Sequence, residues 1–95
     1  MLHLIFDLSD TVVLNRLHNQ AGVIFLNNAV FKLLKKSSFQ TALTQLLLTT
    51  PCYVLSDDLT LRGIETDLIL EKIMLINYTK FVALTTEHTP IQTWT

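Results

Sequence analysis

Short apolar runs alternate with stretches of helical spacing along this chain. The runs LHLIF (2–6), VIFL (23–26), CYVL (52–55) and IMLI (73–76) are typical of strands buried on both faces of a parallel sheet. A last short strand, IQTW (91–94), is predicted at a sheet edge. The alternation predicts an α/β fold: a small doubly wound, mostly parallel sheet of about five strands, with right-handed crossovers and helices on both faces.

Polar residues with capping chemistry stand where the intervening helices are predicted to begin. Ser9 can cap a helix from Asp10, and Asn77 can cap the helix before the last strand. Ser37 with Gln40 fits a capping box. Apolar spacing then predicts inner helix faces: Val13, Leu14 and Leu17; Val30, Phe31 and Leu34; Phe39, Ala42, Leu43, Leu46 and Leu47; and Tyr78, Phe81, Val82 and Thr85.

Two glycines mark the predicted ends of secondary-structure segments. Gly22 closes the first strand–helix unit, so the second strand is expected to start after it. Gly63 terminates a short helix, DDLTLRG (57–63), that Ser56 can cap.

The composition indicates one small domain, residues 1–95, with more apolar residues than its core can hold. Apolar residues make up 49% of the chain and charged residues 16%, against a usual charged fraction of about 25%. Large exposed apolar patches mark interaction sites, so the surplus favours a subunit of an assembly.

Charge and cysteine content narrow the function classes. Net charge is −1 with no basic stripe, and Lys32, Lys35 and Lys36 are read as a solvated helix face, so no direct nucleic-acid binding is expected. One cysteine permits no internal disulfide, which fits a reducing, cytoplasmic location. Asp7 interrupts the first apolar run too early for a signal peptide, and no run is long enough for a membrane span.

Polar residues follow the predicted strands at the edge where doubly wound domains place their sites. They are Asp7 and Ser9; Asn27 and Asn28; Ser56, Asp57 and Asp58; and Asn77 and Tyr78. No Gly-rich loop follows the first strand, which argues against a dinucleotide or P-loop site. The aspartates are interpreted as helix-capping residues, not as a magnesium cluster, so no cofactor or metal is predicted.

The remaining chemical groups give weak signals. His3, His18 and His88 share no ligand spacing and are interpreted as surface or helix-end residues. Cys52 begins a buried strand at the amino end of the sheet, which favours a small buried hydrophobe over a reactive thiol. Arg62 is left open between a cation at a helix C-terminus and an ion pair across a subunit boundary.

The second half of the chain resembles the TusB/DsrH family. DDLTLRGI (57–64) and INYTKFVALTTEHTPIQTW (76–94) are similar to its acidic-Leu-x-x-Arg-Gly-hydrophobic motif, its Tyr-x-x-Phe-Val-x-Leu-Thr helix and its terminal Trp. The matching residues are Asp58, Leu59, Arg62 and Gly63; Tyr78, Phe81, Val82, Leu84 and Thr85; and Gln92 and Trp94. The resemblance covers the whole chain and is weak over residues 9–50.

The resemblance implies a DsrEFH-like α/β subunit of a sulfur relay. Such subunits assemble with TusC-like and TusD-like homologues into a heterohexamer. The relay passes persulfide sulfur from a TusA-like donor, through the cysteine of the TusD-like subunit, to a TusE-like acceptor. In the TusB branch the relay serves 2-thiolation of the tRNA wobble uridine, and in the DsrH branch it serves sulfur oxidation. The resemblance leaves both functions open for this chain.

Two departures from the family pattern favour a non-catalytic, structural subunit. Some DsrH-type proteins carry a cysteine in the first helix, but TVVLNRLHN (11–19) has none, which favours the tRNA branch. Relatives tend to place an acidic residue and a Gly where Asn27 and Asn28 stand. The alternatives are a sulfurtransferase that uses Cys52 directly and a free-standing flavodoxin-like binding module.

The expected partner-binding residues include three aromatic side chains and one cation. Tyr and Trp give large, rigid contact area with a polar tip, which suits interfaces. The set is Arg62, Tyr78, Phe81 and Trp94. The alternative is that the aromatic residues cover the sheet of their own subunit.

Overall fold

The computed structural model describes residues 1–94, and within them the chain forms one five-stranded parallel sheet. Its strands are β1 (Leu2–Ile5), β2 (Gly22–Phe25), β3 (Cys52–Leu55), β4 (Met74–Ile76) and β5 (Ile91–Trp94). Their spatial order is β4–β3–β2–β1–β5, and every neighbouring pair is parallel. The predicted α/β class and the edge position of residues 91–94 are confirmed.

Helices connect the strands and cover both faces of the sheet. They are α1 (Val12–Asn15), α2 (Gln40–Leu47), α3 (Ser56–Leu61) and α4 (Tyr78–Glu87), with 3₁₀ helices at Asn27–Leu33 and Thr66–Leu68. Helix α4 carries the chain from β4 at one edge of the sheet to β5 at the other.

The two faces are covered unequally. Successive strand residues point to opposite faces, so Ile5, Val23 and Phe25 join the larger core while Leu4 and Ile24 join the smaller one. The larger core also takes buried residues from α1, α2, α3 and the 3₁₀ helix at 27–33. On the smaller core, α4 is the one helix among residues 1–94 that contributes. We call the side of the sheet that carries the larger core the first face, and the side that carries the smaller core the second face.

One of the four predicted caps forms as expected. Asn77 Oδ1 accepts a hydrogen bond from the Lys80 N–H at 2.8 Å, at the start of α4. Ser37 instead accepts from the Phe39 N–H at 3.0 Å, one residue before α2 begins, so the capping box is wrong. The Ser9 cap is also wrong, because α1 begins only at Val12. Short polar side chains often bond their own local backbone in this way, which competes with capping. The Ser56 cap is wrong, because Ser56 is the first residue of α3 and no side chain caps that helix.

Two predicted inner faces are wrong in part. In the segment 27–33, Phe31 is exposed while Val30 and Leu33 are buried, because residues three apart share a side in a 3₁₀ helix. In α4, Leu84 is buried at 4% exposure, whereas Tyr78 is 62% and Val82 42% exposed. Of the α4 side chains described, Leu84 and Phe81 pack in the smaller core.

The two glycines differ in role. Gly63 has φ +68° and ends α3, as predicted, because glycine adopts this left-handed conformation at no steric cost. Gly22 does not close the first unit but begins β2. A Cβ there would lie 3.2 Å from both Leu2 Cδ1 and Tyr53 Cε2, so a larger residue would crowd the neighbouring strands.

Candidate functional site

A polar cluster joins the carboxyl ends of β2 and β3. Asp58 Oδ2 accepts a hydrogen bond from the Asn27 backbone N–H at 2.6 Å. The Arg62 guanidinium donates to Asn27 Oδ1 and, at 3.5 Å, to Asn28 Oδ1. Arg62 Nη1 lies 3.6 Å from Asp58 Oδ1. The cluster therefore ties the start of the 3₁₀ helix at 27–33 to α3.

The backbone at Asn27 is part of this arrangement. Asn27 has φ +55°, a left-handed conformation that Asn tolerates better than most residues. The turn directs its N–H towards the Asp58 carboxylate. The polar residues after β2 and β3 thus meet at one edge of the sheet, as the sequence predicts for parallel strands.

Arg62 lies at the C-terminal end of α3, as the first sequence-based interpretation predicts, but its guanidinium donates to Asn27 and Asn28 side chains. Its side chain and that of Asp58 are 19% and 18% exposed, and its guanidinium faces side chains of its own chain. A signal for the pair was present, because Asp58 and Arg62 are four residues apart on one helix face. A role for Arg62 in partner binding stays a prediction.

The carboxyl edge offers hydrogen bonds and charge but no metal site in the part of the chain described. Asp7 Oδ1 accepts from the Leu8 N–H at 2.9 Å, and Asp57 lies exposed in the first turn of α3. No group of three or more His, Cys, Asp or Glu side chains in residues 1–94 could hold a metal ion.

Cys52 lies at the opposite, amino end of β3, inside the larger core. Its side chain is fully buried, and its Sγ lies 3.6 Å from the Thr50 carbonyl oxygen as a weak donor. Desolvation by burial raises the pKa of the Cys52 thiol to about 12. The prediction of a buried Cys52 is confirmed, and the thiol is protonated at neutral pH.

The buried thiol should make the protein less stable at alkaline pH. The folded pKa lies above the ordinary value of 9.0, so its contribution is complete below 9.0 and is lost as pH rises towards 12. The loss is about 1.4 kcal/mol per pH unit in that window. Urea unfolding should show wild type losing about 1.4 kcal/mol more than Cys52→Ala between about pH 8 and pH 10. Equal losses in both proteins would contradict a buried neutral thiol.

A chain of hydrogen bonds runs from Trp94, at the carboxyl end of β5, towards the residues that precede β2 and β3. Trp94 Nε1–H donates to His3 Nδ1 at 3.1 Å, and His3 Nε2 lies 3.2 Å from Gln20 Oε1. The Gln20 backbone N–H donates to Thr50 Oγ1 at 3.4 Å, and that hydroxyl donates to the Leu17 carbonyl at 3.0 Å. An indole N–H can only donate, so His3 Nδ1 must accept the hydrogen bond from Trp94. The ring proton of His3 is therefore on Nε2, which donates to Gln20 Oε1.

The expected surface position of His3 is therefore wrong. Strand alternation places His3 on the first face beside Ile5, where only 6% of it is exposed. Burial is tolerated because both ring nitrogens have partners.

The structure separates the predicted partner-binding residues into three places. The rings of Tyr78 and Phe81 lie together on α4, with centroids 6.0 Å apart. Trp94 pairs in register with Ile5 and packs on the first face of its own chain, half-buried. Arg62 lies in the carboxyl-edge cluster. Contacts between any of these residues and a partner remain predictions.

An exposed apolar surface accompanies α4. Tyr78 and Val82 are exposed on α4, Phe81 is half-buried against the second face, and Met74 is exposed on β4; we call these four residues the α4 patch. Tyr53 and Leu55 are half-buried on the same face. A single covering helix thus leaves part of this apolar face in solvent. No helix within residues 1–94 has the length and hydropathy needed to cross a bilayer.

Three comparisons place this geometry among known proteins. The family described as DsrH like protein matches residues 7–91. Protein TusB from Buchnera aphidicola subsp. Baizongia pistaciae is 31% identical over an alignment of 98 positions, which covers 99% of this chain and 100% of that protein. The solved structure of a protein of unknown function, MTH1491 from Methanobacterium thermoautotrophicum, has a TM-score of 0.76 at 15% identity, covering 98% of this chain and 96% of that one. At that identity the solved structure supports the fold alone.

Proposed function

The chain belongs to the TusB/DsrH family, whose members are sulfur-relay subunits, and from this premise we propose that it is a non-catalytic subunit of a TusBCD-like complex. The complex would pass persulfide sulfur towards 2-thiolation of the tRNA wobble uridine, in the cytoplasm. Its direct partners would be TusC-like and TusD-like subunits. A TusA-like donor and a TusE-like acceptor would act through the TusD-like subunit.

The burial of Cys52 carries the non-catalytic part of this proposal. A thiol that accepts and donates sulfur must reach solvent and ionise, because the thiolate is the nucleophile. Cys52, the one cysteine of the chain, is fully buried with a raised pKa. These properties support a sulfur-carrying cysteine on another subunit.

The α4 patch supports the partner-binding part. Tyr78 and Val82 present apolar surface to solvent on a helix that covers its face of the sheet alone among the described residues. Aromatic residues in such a position are typical of interface anchors. A subunit packed there would cover the rest of the second face.

Reconstitution tests the proposal. The chain is co-expressed with TusC-like and TusD-like proteins, and the complex is weighed by native mass spectrometry and then given a persulfide donor. We expect a stable heteromer, with added sulfur on the TusD-like cysteine and unmodified Cys52. Cys52→Ala should keep relay activity. Added sulfur on Cys52, with loss of activity in an intact Cys52→Ala complex, would establish direct sulfur transfer instead.

Tyr78→Ala should weaken this assembly without unfolding the chain. Truncating an exposed aromatic anchor removes contact area in the complex, which costs about 1–4 kcal/mol of binding free energy. The free energy of unfolding should change by less than about 0.5 kcal/mol, because Tyr78 is mostly exposed. The dissociation constant is measured by titration against the TusC-like and TusD-like subunits. Thr79→Ala, also exposed in α4, is the matched control. Unchanged affinity in Tyr78→Ala would remove the α4 patch from the interface.

A further inference from the structure

Two cavities lie beside the segment that leads to β4, on the side of the molecule that carries the larger core, and α2 residues line the larger of them. Their volumes are about 360 and 260 Å³, and Lys35 lines both. Leu47 and Leu70 line the larger cavity, and Leu34 and Leu68 line the smaller. We call the pair the lysine-rimmed groove.

The walls of this groove are held by backbone hydrogen bonds. Leu34 and Ile69 form an antiparallel bridge. The Lys35 N–H donates to the Leu68 carbonyl at 2.9 Å, and the Leu70 N–H donates to the Leu33 carbonyl at 3.1 Å. Leu33 and Ile69 are themselves buried in the larger core. The groove is therefore formed before any partner arrives, which reduces the ordering cost of binding.

The rim of the groove carries a net positive charge. Lys35, Lys36 and Lys72 line the cavities, with Glu71 as the one acidic lining residue in the described chain. Lys35 Nζ lies 3.8 Å from Glu71 Oε1, but the Glu71 side chain is 87% exposed, so this pair is weak. The rim is thus positive on a chain whose net charge is −1. Such a rim attracts acidic partners and repels basic ones.

We propose that the lysine-rimmed groove binds an acidic amphipathic segment of a protein partner. Apolar side chains of the segment enter the two cavities, and its Asp and Glu side chains lie against Lys35, Lys36 and Lys72. Peptides with apolar residues at helical spacing dock in apolar grooves in this way. A protein segment fits better than RNA because the cavity linings, within residues 1–94, include no aromatic ring for base stacking.

A matched pair of synthetic peptides tests this surface on the full chain. Both carry Leu at helical spacing, one with Glu and the other with Lys at the remaining positions. We expect the Leu/Glu peptide to bind about ten-fold more tightly by fluorescence anisotropy. Amide chemical shifts of the ¹⁵N-labelled chain should change at 34–36 and 68–72, not in α4. The test is independent of the relay partners, so its failure would leave the proposed function standing.

Charge reversal separates the groove from general electrostatics. Lys35→Glu combined with Lys72→Glu should remove the preference for the Leu/Glu peptide, while Lys80→Glu on α4 should keep it. Equal binding of the two peptides to wild type, no binding of either, shifts confined to α4, or tighter binding of a single-stranded RNA oligonucleotide would each overturn the proposal.

Discussion

Leu84→Ala should lower the free energy of unfolding by about 2–5 kcal/mol, the usual range for a buried Leu truncated to Ala. Leu84 is the one α4 side chain buried in the second face among the described residues, where it packs in the cluster of Leu4, Ile24 and Ile76. No second helix of the described chain lies on that face to close around the cavity. Without this contact, α4 is held mainly by Phe81 and by its two flanking strands.

Val82→Ala is the matched control, because it removes apolar atoms from the same helix at a position that is 42% exposed. Its cost should stay below about 1 kcal/mol. Urea unfolding followed by circular dichroism measures both variants. A larger loss for Val82→Ala than for Leu84→Ala would favour the inner face that apolar spacing predicts, with Tyr78, Phe81, Val82 and Thr85 towards the sheet.

Trp94→Ala should be the second most damaging change and should lower the free energy of unfolding by roughly 2–4 kcal/mol. A fully buried Trp truncated to Ala costs about 3–5 kcal/mol, and Trp94 is only half-buried. The change removes an aromatic ring that packs on the larger core and the indole donor to His3 Nδ1. The pairing of β5 with β1 should weaken with it.

Trp94→Phe separates these two contributions, because it keeps most of the apolar contact and removes the N–H donor. We expect it to cost about 1 kcal/mol, the usual net value of one hydrogen bond. Ile91→Ala, partly exposed on the same strand, is the control for general weakening of β5. If Trp94→Ala leaves the unfolding free energy unchanged and weakens assembly with partner subunits instead, Trp94 is an interface anchor, as the sequence suggests.

The strands were predictable because their signal is local. The apolar run 52–55 predicts β3 to the residue, and 91–94 predicts β5 with its edge position. Consecutive apolar residues are typical of strands buried on both faces. For β4 that expectation of burial is wrong, because β4 lies at the other edge of the sheet and Met74 and Leu75 are exposed. The bounds of β2 were missed by one residue, since a Gly before an apolar run also signals a turn.

The orientation of α4 was not predictable, because it depends on what covers the helix. The apolar residues of α4 occupy so much of the helix circumference that either of two sides could face the sheet, one that includes Val82 and one that includes Leu84. Only the packing against Leu4 and Ile24 selects the second. Hydrophobic periodicity cannot distinguish residues that face the sheet from residues left for a partner.

The candidate site was predictable in position but not in contacts. Parallel topology brings Asn27 and Asp58 to one edge of the sheet, as the order of the elements indicates. The contact of Arg62 with Asn27 crosses between two connections and depends on a left-handed turn at Asn27. His3 was missed because its partners, Gln20 and Trp94, are distant in sequence.

The place of β1 in the sheet bears on how the chain is made. Translation produces β1 first among the strands, yet one of its two neighbours is β5, at residues 91–94. Until those residues leave the ribosome, one side of β1 keeps unpaired backbone groups, and such edges invite association with other chains. Nascent chains that stall before Pro90 would therefore carry an open edge and become clients of chaperones or proteases.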